Sequence, residues 1–359
     1  MNFYMPVKMF QEEHAVWNHR RELSVLGKKA LIVTGKSSAK KNGAYDDVVK
    51  TLDAEGIDHI LFDQVEENPS METVMVARDL GVTKKVDFVI AIGGGSPMDA
   101  GKSIALMIYH KEKDASYLYE KGDDSALPLA VVPTTCGTGS ETTPYSILTN
   151  TKENTKSSTP HRIWAACAFL DYRYLMHAPK KVLCDTSMDA FGHMAESYIN
   201  TNANDFSRMC VCHGLELWAG CKDALMGKRP LENEDYENLL TASAMAGMAI
   251  SVSGTSLPHG LSYGLTCNLG MPHGQAVGYF LPGYIKEAEE KQQNAVLKKA
   301  GFSDVEELRM YYEETCGPEK VPEKLLHQIS KSILSNEAKM KNCPYPADET
   351  VIRRIVGLV

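Results

Sequence analysis

Four residues in the second half of the chain have side chains that could together bind one divalent metal ion. Asp189 and His193 stand four residues apart in a stretch with helical periodicity, so both would lie on one face of a helix. His259 and His273 each precede a glycine. One carboxylate and three imidazoles make a full ligand set for a transition metal and leave room for a substrate oxygen. Two alternatives stay open: Asp189 and Thr186 could form a helix capping box, and single histidines are often ordinary core or surface residues.

A glycine triplet in the first half could bind phosphate. The sequence GGGS, residues 93–96, follows an apolar run typical of a buried strand, and Pro97 is typical of the first turn of a helix. A helix N-terminus offers free N–H groups, and glycines let a pyrophosphate approach the backbone closely. We therefore expect Gly94, Gly95 and Ser96 to contact a dinucleotide, although the usual G-x-G-x-x-G pattern is absent. A plain tight turn between strand and helix is the alternative.

The same stretch contains Gly101-Lys102-Ser103, which looks like the end of a nucleoside-triphosphate loop. Such a loop requires a glycine five residues before Gly101, where this chain has Ser96. Lys102 would also lie well inside the predicted helix, where it could not cover phosphates bound at the helix N-terminus. We therefore interpret the GKS sequence as part of an ordinary helix and expect no triphosphate site there.

A second loop dense in hydroxyls and glycines, PTTCGTGSE at residues 133–141, follows the next predicted strand. Its candidate cofactor contacts are Thr134, Thr135 and Thr138. Alone it could be an ordinary turn rich in threonine and glycine. Two such loops after neighbouring parallel strands are, however, typical of a nucleotide-binding cleft at the carboxyl edge of a sheet.

The elements that must position these residues differ between the two halves of the chain. The first half alternates short, nearly continuous apolar runs with helical patterns, which predicts a parallel sheet covered by helices on both faces. Past about residue 180 the patterns are helical and no further strand is convincing. We therefore predict an α/β dinucleotide-binding domain over residues 1–180 and a helical, metal-binding catalytic domain over residues 181–359.

Composition and charge argue against several classes of protein. The formal net charge of −8 disfavours a nucleic-acid partner, which requires a basic face. No apolar run approaches the ~20 residues of a membrane span, and the N-terminal stretch lacks the apolar core of a signal peptide. We expect a cytoplasmic protein with no membrane partner. The nine cysteines suggest free thiols, and the spacing of Cys210 and Cys212 fits structural zinc sites poorly.

Taken together, these motifs resemble those of the iron-containing (group III) alcohol dehydrogenases over essentially the whole chain. The combination is specific, although no single motif would be. The 1,3-propanediol dehydrogenase branch of that family also carries stretches similar to GKSSAKKNG and PYSILT. The motifs that carry the resemblance are, in chain order, GGGSPMDAGK, PTTCGTGSETT, AFLD, DAFGHMAES and the paired His-Gly sequences.

The resemblance implies a fold, a ligand set, a cofactor and an assembly. The fold would be the dehydroquinate synthase-like one, with an α/β dinucleotide-binding domain followed by an all-α metal-binding domain. Asp189, His193, His259 and His273 correspond to ligands of Fe²⁺, with Zn²⁺ or Mn²⁺ as alternatives. A homodimer or higher homo-oligomer is also implied. The residues that correspond to cofactor contacts are Gly94, Gly95, Ser96, Thr134, Thr135, Thr138 and, by a looser alignment, Lys156.

Two departures from the family pattern affect the chemistry. Many members have a histidine four residues after the third ligand, thought to help proton transfer, whereas this chain has Tyr263, which could also relay a proton. Many NAD-preferring members have an acidic residue at the position of Gly35. Here Gly35, Lys36 and Ser37 offer no negative charge, which favours NADP(H) over NAD(H). Glu196, on the same helical stripe as His193, is expected to support a ligand rather than to catalyse.

We therefore expect an oxidoreductase that interconverts a small primary alcohol and its aldehyde with a metal ion and NAD(P). One alternative is a reductase of an anionic aldehyde such as sulfoacetaldehyde or phosphonoacetaldehyde. His161 and Arg162 could bind its charged tail, unless they are simply an exposed loop pair. A glycerol dehydrogenase-like or dehydroquinate synthase-like enzyme is less favoured. A nucleotide-binding protein without catalysis is disfavoured because all four candidate ligands are intact.

Overall fold

The structure of the chain, a computed structural model, describes residues 2–151, 155–317 and 320–358. The chain divides into two compact units, which we name the sheet unit and the helical unit. The sheet unit comprises Met5–Thr135 and Ser140–Ala178. The helical unit comprises Met1–Tyr4, Cys136–Gly139 and Pro179–Val359.

The two units are not simply consecutive in the chain. The main change from one unit to the other falls between Ala178 and Pro179. Residues 136–139, which the sequence analysis included in the N-terminal domain, belong to the helical unit. The assignment of domains to residues 1–180 and 181–359 stays a prediction.

Six parallel strands form the sheet in the order β1-β8-β5-β4-β2-β3, and β6 and β7 form a separate antiparallel pair. The parallel sheet predicted from strand–helix alternation is thus confirmed. The strands are β1 (Lys8–Gln11), β2 (Lys29–Gly35), β3 (Asp58–Val65), β4 (Phe88–Gly93), β5 (Leu129–Pro133), β6 (Ile147–Asn150), β7 (Thr155–Ser158) and β8 (Cys167–Leu170).

The sequence analysis missed the shortest strands. The apolar runs at residues 28–35, 59–65, 86–95 and 127–135 predict β2 to β5, because they are long enough to distinguish a buried strand from a loop. The strands β1, β6, β7 and β8 have only four residues each. A four-residue segment carries too little periodicity, so such a strand forms because a neighbouring strand supplies hydrogen bonds.

The order of the strands creates a place where the chain changes direction across the sheet. β2 pairs with β3 on one side and with β4 on the other, although the chain runs from β2 to β3 and then to β4. All three strands are parallel, so their carboxyl ends lie at one edge, with Thr34 beside Ile92. In open α/β sheets, ligands bind in the crevice at such a switch point.

Helices cover the sheet and connect its strands. They are α1 (Ala15–Asn18), α2 (Arg21–Leu26), α3 (Ser38–Lys41), α4 (Ala44–Ala54), α5 (Met71–Lys84) and α6 (Gly95–Tyr109). The helix α6 packs on β4 and β5, which are buried at every residue. The helix α6 begins at Gly95, two residues before the start predicted at Pro97, because Gly94 takes the N-cap position with an extended backbone.

The helical unit consists of helices, as the sequence predicted for the second half. They are α7 (Lys180–Tyr198), α8 (Asp205–Gly220), α9 (Lys222–Met226), α10 (Asn233–Ser253), α11 (Leu257–Leu269), α12 (His273–Glu287), α13 (Glu290–Lys299), α14 (Val305–Thr315), α15 (Glu323–Leu334), α16 (Glu337–Asn342) and α17 (Glu349–Ile355).

Burial in this unit is concentrated on α7, α10 and α12. The side chains of α7 are buried almost without interruption from Leu183 to Ser197. Among the described residues, no single helix is both long and apolar enough to cross a membrane. By length and composition alone, α10 and α11 would do so together, but a bend of 112° separates them.

Candidate metal centre and dinucleotide loops

Three of the four predicted ligands lie around one point. Asp189 and His193 stand on the same face of α7, and His259 stands in the first turn of α11. One potential ligand atom from each of the three lies within 4.8 Å of the others, and all three side chains are buried. The rings of His193 and His259 stack with centroids 4.2 Å apart.

The fourth predicted ligand, His273, begins α12 and stands beside this cluster. Its Nε2 lies 3.7 Å from Oδ1 of Asp189, and the same oxygen lies 3.4 Å from Nε2 of His259. The structure therefore brings all four predicted residues together. Thr186 lies inside α7 and its hydroxyl donates to the carbonyl of Val182 at 2.8 Å, so the capping-box interpretation of Thr186 and Asp189 is wrong.

The cluster fits a divalent cation. Within the described part of the chain, Oδ1 of Asp189 and Nε2 of His259 are buried without a hydrogen-bond partner. Buried polar atoms are otherwise almost always paired, and leaving one unpaired costs about 1–3 kcal/mol. A metal ion among these atoms would satisfy both. Carboxylate oxygen and imidazole nitrogen suit Fe²⁺, Zn²⁺ and Mn²⁺ alike.

The electrostatics of the cluster also favour a positive charge at its centre. Burial raises the pKa of Asp189, but the charges of His193 and His273 outweigh it and hold the pKa well below its usual range. Burial lowers the pKa of His259, but Glu196 and Asp189 raise it to about 9. Burial and the charge of His259 lower the pKa of His193 to about 4. The carboxyl group of Asp189 thus stays ionised within the buried cluster.

Glycines next to the ligands allow the helices to approach closely. A Cβ at Gly274, after His273, would lie 1.8 Å from the carbonyl oxygen of Asp185 on α7. A Cβ at Gly192 would lie 2.5 Å from Cγ1 of Val277 on α12. For the pair His273-Gly274, the glycine therefore brings α12 close enough for the histidine to reach the cluster, whereas a Cβ at Gly260, after His259, would lie 2.4 Å from Cδ1 of Ile333.

Two hydrogen bonds set which ring nitrogens face the cluster. Nδ1 of His193 lies 3.2 Å from the carbonyl oxygen of Gly137 and donates to it. Nδ1 of His259 contacts the carboxylate of Glu196. In both rings Nε2 is left to bind an ion. Glu196 is fully buried and supports a ligand, in agreement with its position on the helical stripe of His193.

Tyr263 lies on α11, one turn after His259. Its ring stacks on the ring of His273 with centroids 5.8 Å apart and an interplanar angle of 14°. The side chain is partly buried. The structure thus places the predicted proton-relay tyrosine against a predicted ligand.

The predicted phosphate loop lies at the switch point of the sheet. Gly93 ends β4 with a φ of 149°, and a Cβ there would lie 2.6 Å from the ring of Pro97. A Cβ at Gly94 would lie 2.9 Å from the hydroxyl oxygen of Thr135. The N–H of Thr134 donates to the carbonyl of Gly93 at 2.9 Å. The sheet unit therefore brings two of its predicted cofactor loops together at the N-terminus of α6.

Asn68 is a residue of this edge that the sequence analysis missed. It follows β3 with a left-handed φ of 57°. Its N–H donates to Oγ of Ser96 at 3.3 Å, and its side-chain oxygen accepts from Nζ of Lys156 at 2.6 Å. Asn68 thus connects two predicted cofactor contacts. The sequence signal was the pair Asn68-Pro69, which is typical of a turn after a strand.

The remaining predicted cofactor residues lie in two places. Gly35 ends β2, and Lys36 and Ser37 follow it as exposed residues before α3. A Cβ at Gly35 would make only an ordinary contact of 3.5 Å with the carbonyl oxygen of Val65. Thr138 belongs to the segment 136–139 of the helical unit.

The GKS sequence has a structural role within the sheet unit. Gly101 packs α6 on β4, since a Cβ there would lie 2.6 Å from Cβ of Ala91. Lys102 is fully buried, and its Nζ donates to the carbonyls of Ser140 and Tyr145, each at 2.8 Å. Asp99 lies 3.6 Å from the same Nζ. Lys102 therefore binds protein atoms, and the interpretation of GKS as a helix segment agrees with its place in α6.

His161 and Arg162 differ in their surroundings. His161 is buried, with Nδ1 at 2.8 Å from Asp124 and Nε2 at 2.9 Å from the carbonyl oxygen of Tyr117. The interpretation of both as an exposed pair is therefore wrong for His161, and both of its nitrogens are already engaged. Arg162 is exposed and lies over the ring of Tyr145, 4.9 Å from its centroid.

The cysteine-rich stretch forms part of α8. Cys210 is buried there and Cys212 partly buried. Within the described ranges, one group of histidine, cysteine or acidic residues could hold a metal ion together. It consists of Asp189, His193 and His259. The structure thus agrees with free thiols at these positions.

Two family models match most of the chain. The model described as iron-containing alcohol dehydrogenase matches residues 6–172. The model described as Fe-containing alcohol dehydrogenase family, C-terminal, matches residues 183–314.

Similar proteins and a similar solved structure agree with these matches. A 1,3-propanediol dehydrogenase of Citrobacter freundii is 30% identical over 85% of this chain and 78% of its own length. An NADPH-dependent butanol dehydrogenase of Clostridium saccharobutylicum is 31% identical over 72% of this chain and 68% of its own. The crystal structure of an iron-containing alcohol dehydrogenase from Thermotoga maritima is 35% identical, covers 99% of this chain and 98% of that one, and superposes with a TM-score of 0.90.

Proposed function

The chain belongs to the iron-containing alcohol dehydrogenase family, and on that basis we propose how its own residues serve the reaction. It is a metal-dependent, nicotinamide-linked oxidoreductase that interconverts a primary alcohol and an aldehyde. The observation that carries the site assignment is the buried cluster in which Oδ1 of Asp189 and Nε2 of His259 lack a hydrogen bond within the described residues.

Asp189, His193, His259 and His273 hold Fe²⁺, or Zn²⁺ or Mn²⁺ in its place. The chemistry that such an ion supplies is Lewis-acid polarisation of the substrate oxygen. The chain contributes a rigid frame, because Asp189 and His193 share one helix and Gly192 and Gly274 allow α12 to approach it closely. Hydrogen bonds from Nδ1 of His193 and of His259 keep both imidazoles in the tautomer that a ligand requires.

The loops at the carboxyl edge of the sheet bind the dinucleotide. Gly94, Gly95 and Ser96 present the N-terminus of α6 to the pyrophosphate, as helix N-termini do in other dinucleotide sites. Other contacts from the sheet unit come from Thr134, Thr135 and Lys156. Support for this comes from the position of GGGS at the switch point.

We propose that NADP(H) is preferred over NAD(H). Gly35 ends β2, the strand beside the GGGS strand, and Lys36 and Ser37 follow it, so this loop carries no acid that would repel a 2′-phosphate. A relative 31% identical to this chain is named as an NADPH-dependent butanol dehydrogenase. Lys36 is exposed and can supply a positive charge to a 2′-phosphate.

Tyr263 is the proposed proton relay. Its ring stacks on that of His273, so its hydroxyl belongs to the surroundings of the metal centre. A phenol can pass a proton between a substrate oxygen and solvent without a net change in its own charge. The tyrosine thus takes the role that the resemblance assigns to a histidine at this position.

Small neutral alcohols and aldehydes are the proposed substrates. Relatives named 1,3-propanediol dehydrogenase and butanol dehydrogenase act on compounds of this kind. An anionic aldehyde is less favoured, because both nitrogens of His161 are engaged by Asp124 and Tyr117. A cytoplasmic location and a homodimeric or larger assembly complete the proposal, on the family resemblance.

A panel of aldehydes tests this function. The purified chain is reconstituted with Fe²⁺, Zn²⁺ or Mn²⁺ and assayed with NADPH and NADH against neutral and anionic aldehydes of two to four carbons. The proposal expects cofactor oxidation with neutral aldehydes, faster with NADPH. If only the anionic aldehydes were reduced, the alternative function, a reductase of an anionic aldehyde, would replace this proposal.

A further inference from the structure

The loop between α10 and α11 sets where His259 stands. It consists of Gly254, Thr255 and Ser256, and α11 begins directly after it. Oε1 of Glu196 accepts the backbone N–H of Ser256 at 2.8 Å. Glu196 also contacts Nδ1 of His259. An element that holds this loop therefore also holds His259 and Glu196 relative to one another.

The short helix α16 holds this loop through its last residue, Asn342. The side-chain amide of Asn342 donates to the carbonyl of Thr255 at 2.8 Å. A Cβ at Gly254, whose φ is 70°, would lie 2.9 Å from the same amide nitrogen. The N–H of Thr201, just after α7, donates to the carbonyl of Asn342 at 3.1 Å. One residue of α16 thus connects the end of α7 to the start of α11.

Lys339 on α16 adds a positive charge to this contact. Its ammonium group donates to the hydroxyl of Thr255, and its carbonyl accepts from Oγ of Ser256 at 3.3 Å. A Cβ at Gly260 would lie 3.1 Å from Cγ of Lys339, so the stem packs against the first turn of α11. The charges of Lys339 and the fully buried Glu196 attract one another.

The charge balance explains why a lysine suits this position. The cluster contains two buried carboxyl groups, Asp189 and Glu196. A divalent ion would compensate Asp189 directly, whereas Glu196 binds backbone N–H groups and one imidazole. A buried carboxylate needs compensating charge or several hydrogen bonds to remain ionised. Lys339 supplies that charge from outside the ligand set.

We propose that Lys339 is a positioning residue of the metal centre. It fixes the hydroxyl of Thr255, compensates the charge of Glu196, and thereby keeps Nε2 of His259 directed at the ion. Lys339 lies outside residues 183–314, which the C-terminal family model matches. The inference rests on the proposed metal site, but not on its substrate or cofactor.

Binding of Co²⁺ to the metal-free full-length protein tests this inference without using activity. The affinity is measured by competition with a chelator, and the visible absorption of bound Co²⁺ reports the geometry of its ligands. Lys339→Met removes the charge and keeps a side chain of similar length. Lys341→Met is the matched control, because Lys341 is exposed on the same helix. Lys339→Arg keeps the charge.

We expect Lys339→Met to weaken Co²⁺ binding about tenfold and to change the absorption of the bound ion. Tenfold is the lower end of the effect of partners that orient a ligand. The Lys341→Met protein should match the unchanged protein, and Lys339→Arg should recover most of the affinity. Thr255→Val, which removes only the hydroxyl group that Lys339 contacts, should also weaken Co²⁺ binding, but less than Lys339→Met does.

Thermal unfolding of the metal-free proteins separates positioning from simple stabilisation. The proposal is overturned if Lys339→Met lowers the unfolding temperature but leaves the affinity and the absorption unchanged. If Lys339→Met does not fold, unchanged Co²⁺ binding by Thr255→Val overturns it instead. Failure of the unchanged protein to bind Co²⁺ would refute the metal site itself and this inference with it. Normal Co²⁺ binding with no aldehyde turnover would refute only the proposed reaction.

Discussion

The carboxylate of Glu196 binds both the backbone and the side chain of the helix start that carries His259. One oxygen accepts the N–H of Ser256 at 2.8 Å and that of His259 at 3.3 Å, while the other contacts Nδ1 of His259. The side chain of Ser256, which is the N-cap residue, makes no cap hydrogen bond of its own. Glu196 therefore caps α11 and orients the imidazole at the same time.

Replacing this carboxylate should weaken the metal site. In Glu196→Gln only one of the two terminal side-chain atoms can accept a hydrogen bond. The variant must therefore lose either the hydrogen bonds from the backbone N–H groups of Ser256 and His259 or the contact with Nδ1 of His259. We expect metal affinity to fall about 10- to 100-fold. The measurement is chelator competition with Co²⁺. Glu237→Gln, at an exposed position of α10, is the control and should bind as the unchanged protein does.

The cofactor preference should respond to charge at the end of β2. An aspartate at Gly35 has room for its side chain, since a Cβ there makes only a 3.5 Å contact. In Gly35→Asp, repulsion of the 2′-phosphate should lower kcat/KM for NADPH about 100-fold relative to that for NADH. Gly35→Asn has the same size without the charge and should shift the ratio much less. An equal loss with both cofactors in both variants would contradict the assignment of this loop.

The stability of the protein should fall as the pH rises from about 4.5 to about 7 because of Glu141. Burial raises the pKa of this carboxyl to about 7, against the opposing effects of its backbone hydrogen bond and of Lys102. A group with a pKa raised on folding stabilises the protein fully below its unfolded pKa, near 4.5, and the contribution is lost as the pH passes the folded pKa. The loss should be on the order of 3 kcal/mol.

Denaturant unfolding between pH 5 and pH 8.5 measures this effect of Glu141. Glu141→Gln should remove most of the decline, because the amide stays neutral throughout. Glu112→Gln, at an exposed position, should show the same decline as the unchanged protein. Parallel curves for all three proteins would show that Glu141 does not titrate in this range.

Lys102 should be required for stability and not for binding a nucleoside triphosphate. Its buried ammonium group donates to three protein acceptors within 2.8 Å. They are the carbonyl and hydroxyl oxygens of Ser140 and the carbonyl oxygen of Tyr145. Lys102→Met would remove the donor to these acceptors and the positive charge beside Asp99, at a cost of about 3 kcal/mol in unfolding free energy. The exposed Lys111→Met should change it by less than ~0.5 kcal/mol. If the unchanged protein bound ATP and Lys102→Met abolished that binding, the triphosphate interpretation would be restored.

The four candidate ligands could be proposed from the sequence because each belongs to a short local pattern that resembles a family motif. Asp189 and His193 lie one helical turn apart, and each of the other two histidines precedes a glycine. The supports of the ligands were harder to predict. Glu196 was identified by its helical stripe, but its contact with α11 joins residues about sixty positions apart. Lys339 had no local signal at all, since its contact with Thr255 depends on how α16 packs.

The sheet shows the same division between local and tertiary information. Long apolar runs predicted β2 to β5, and with them the position of GGGS at a strand end. The link from Asn68 to Ser96 and Lys156 joins three separate segments and could not be read from any one of them. The strand order that creates the switch point is likewise a tertiary property, because it depends on which strands pair.

Metal content measured together with aldehyde reduction in His259→Ala tests the central claim most directly. Removing this imidazole deletes the group whose Nε2 is buried without a hydrogen bond within the described residues. We expect the variant to lose bound metal and its kcat/KM to fall at least about 1,000-fold, while His213→Ala, at an exposed position of α8, keeps both. Loss of the metal from His259→Ala with activity retained would contradict it.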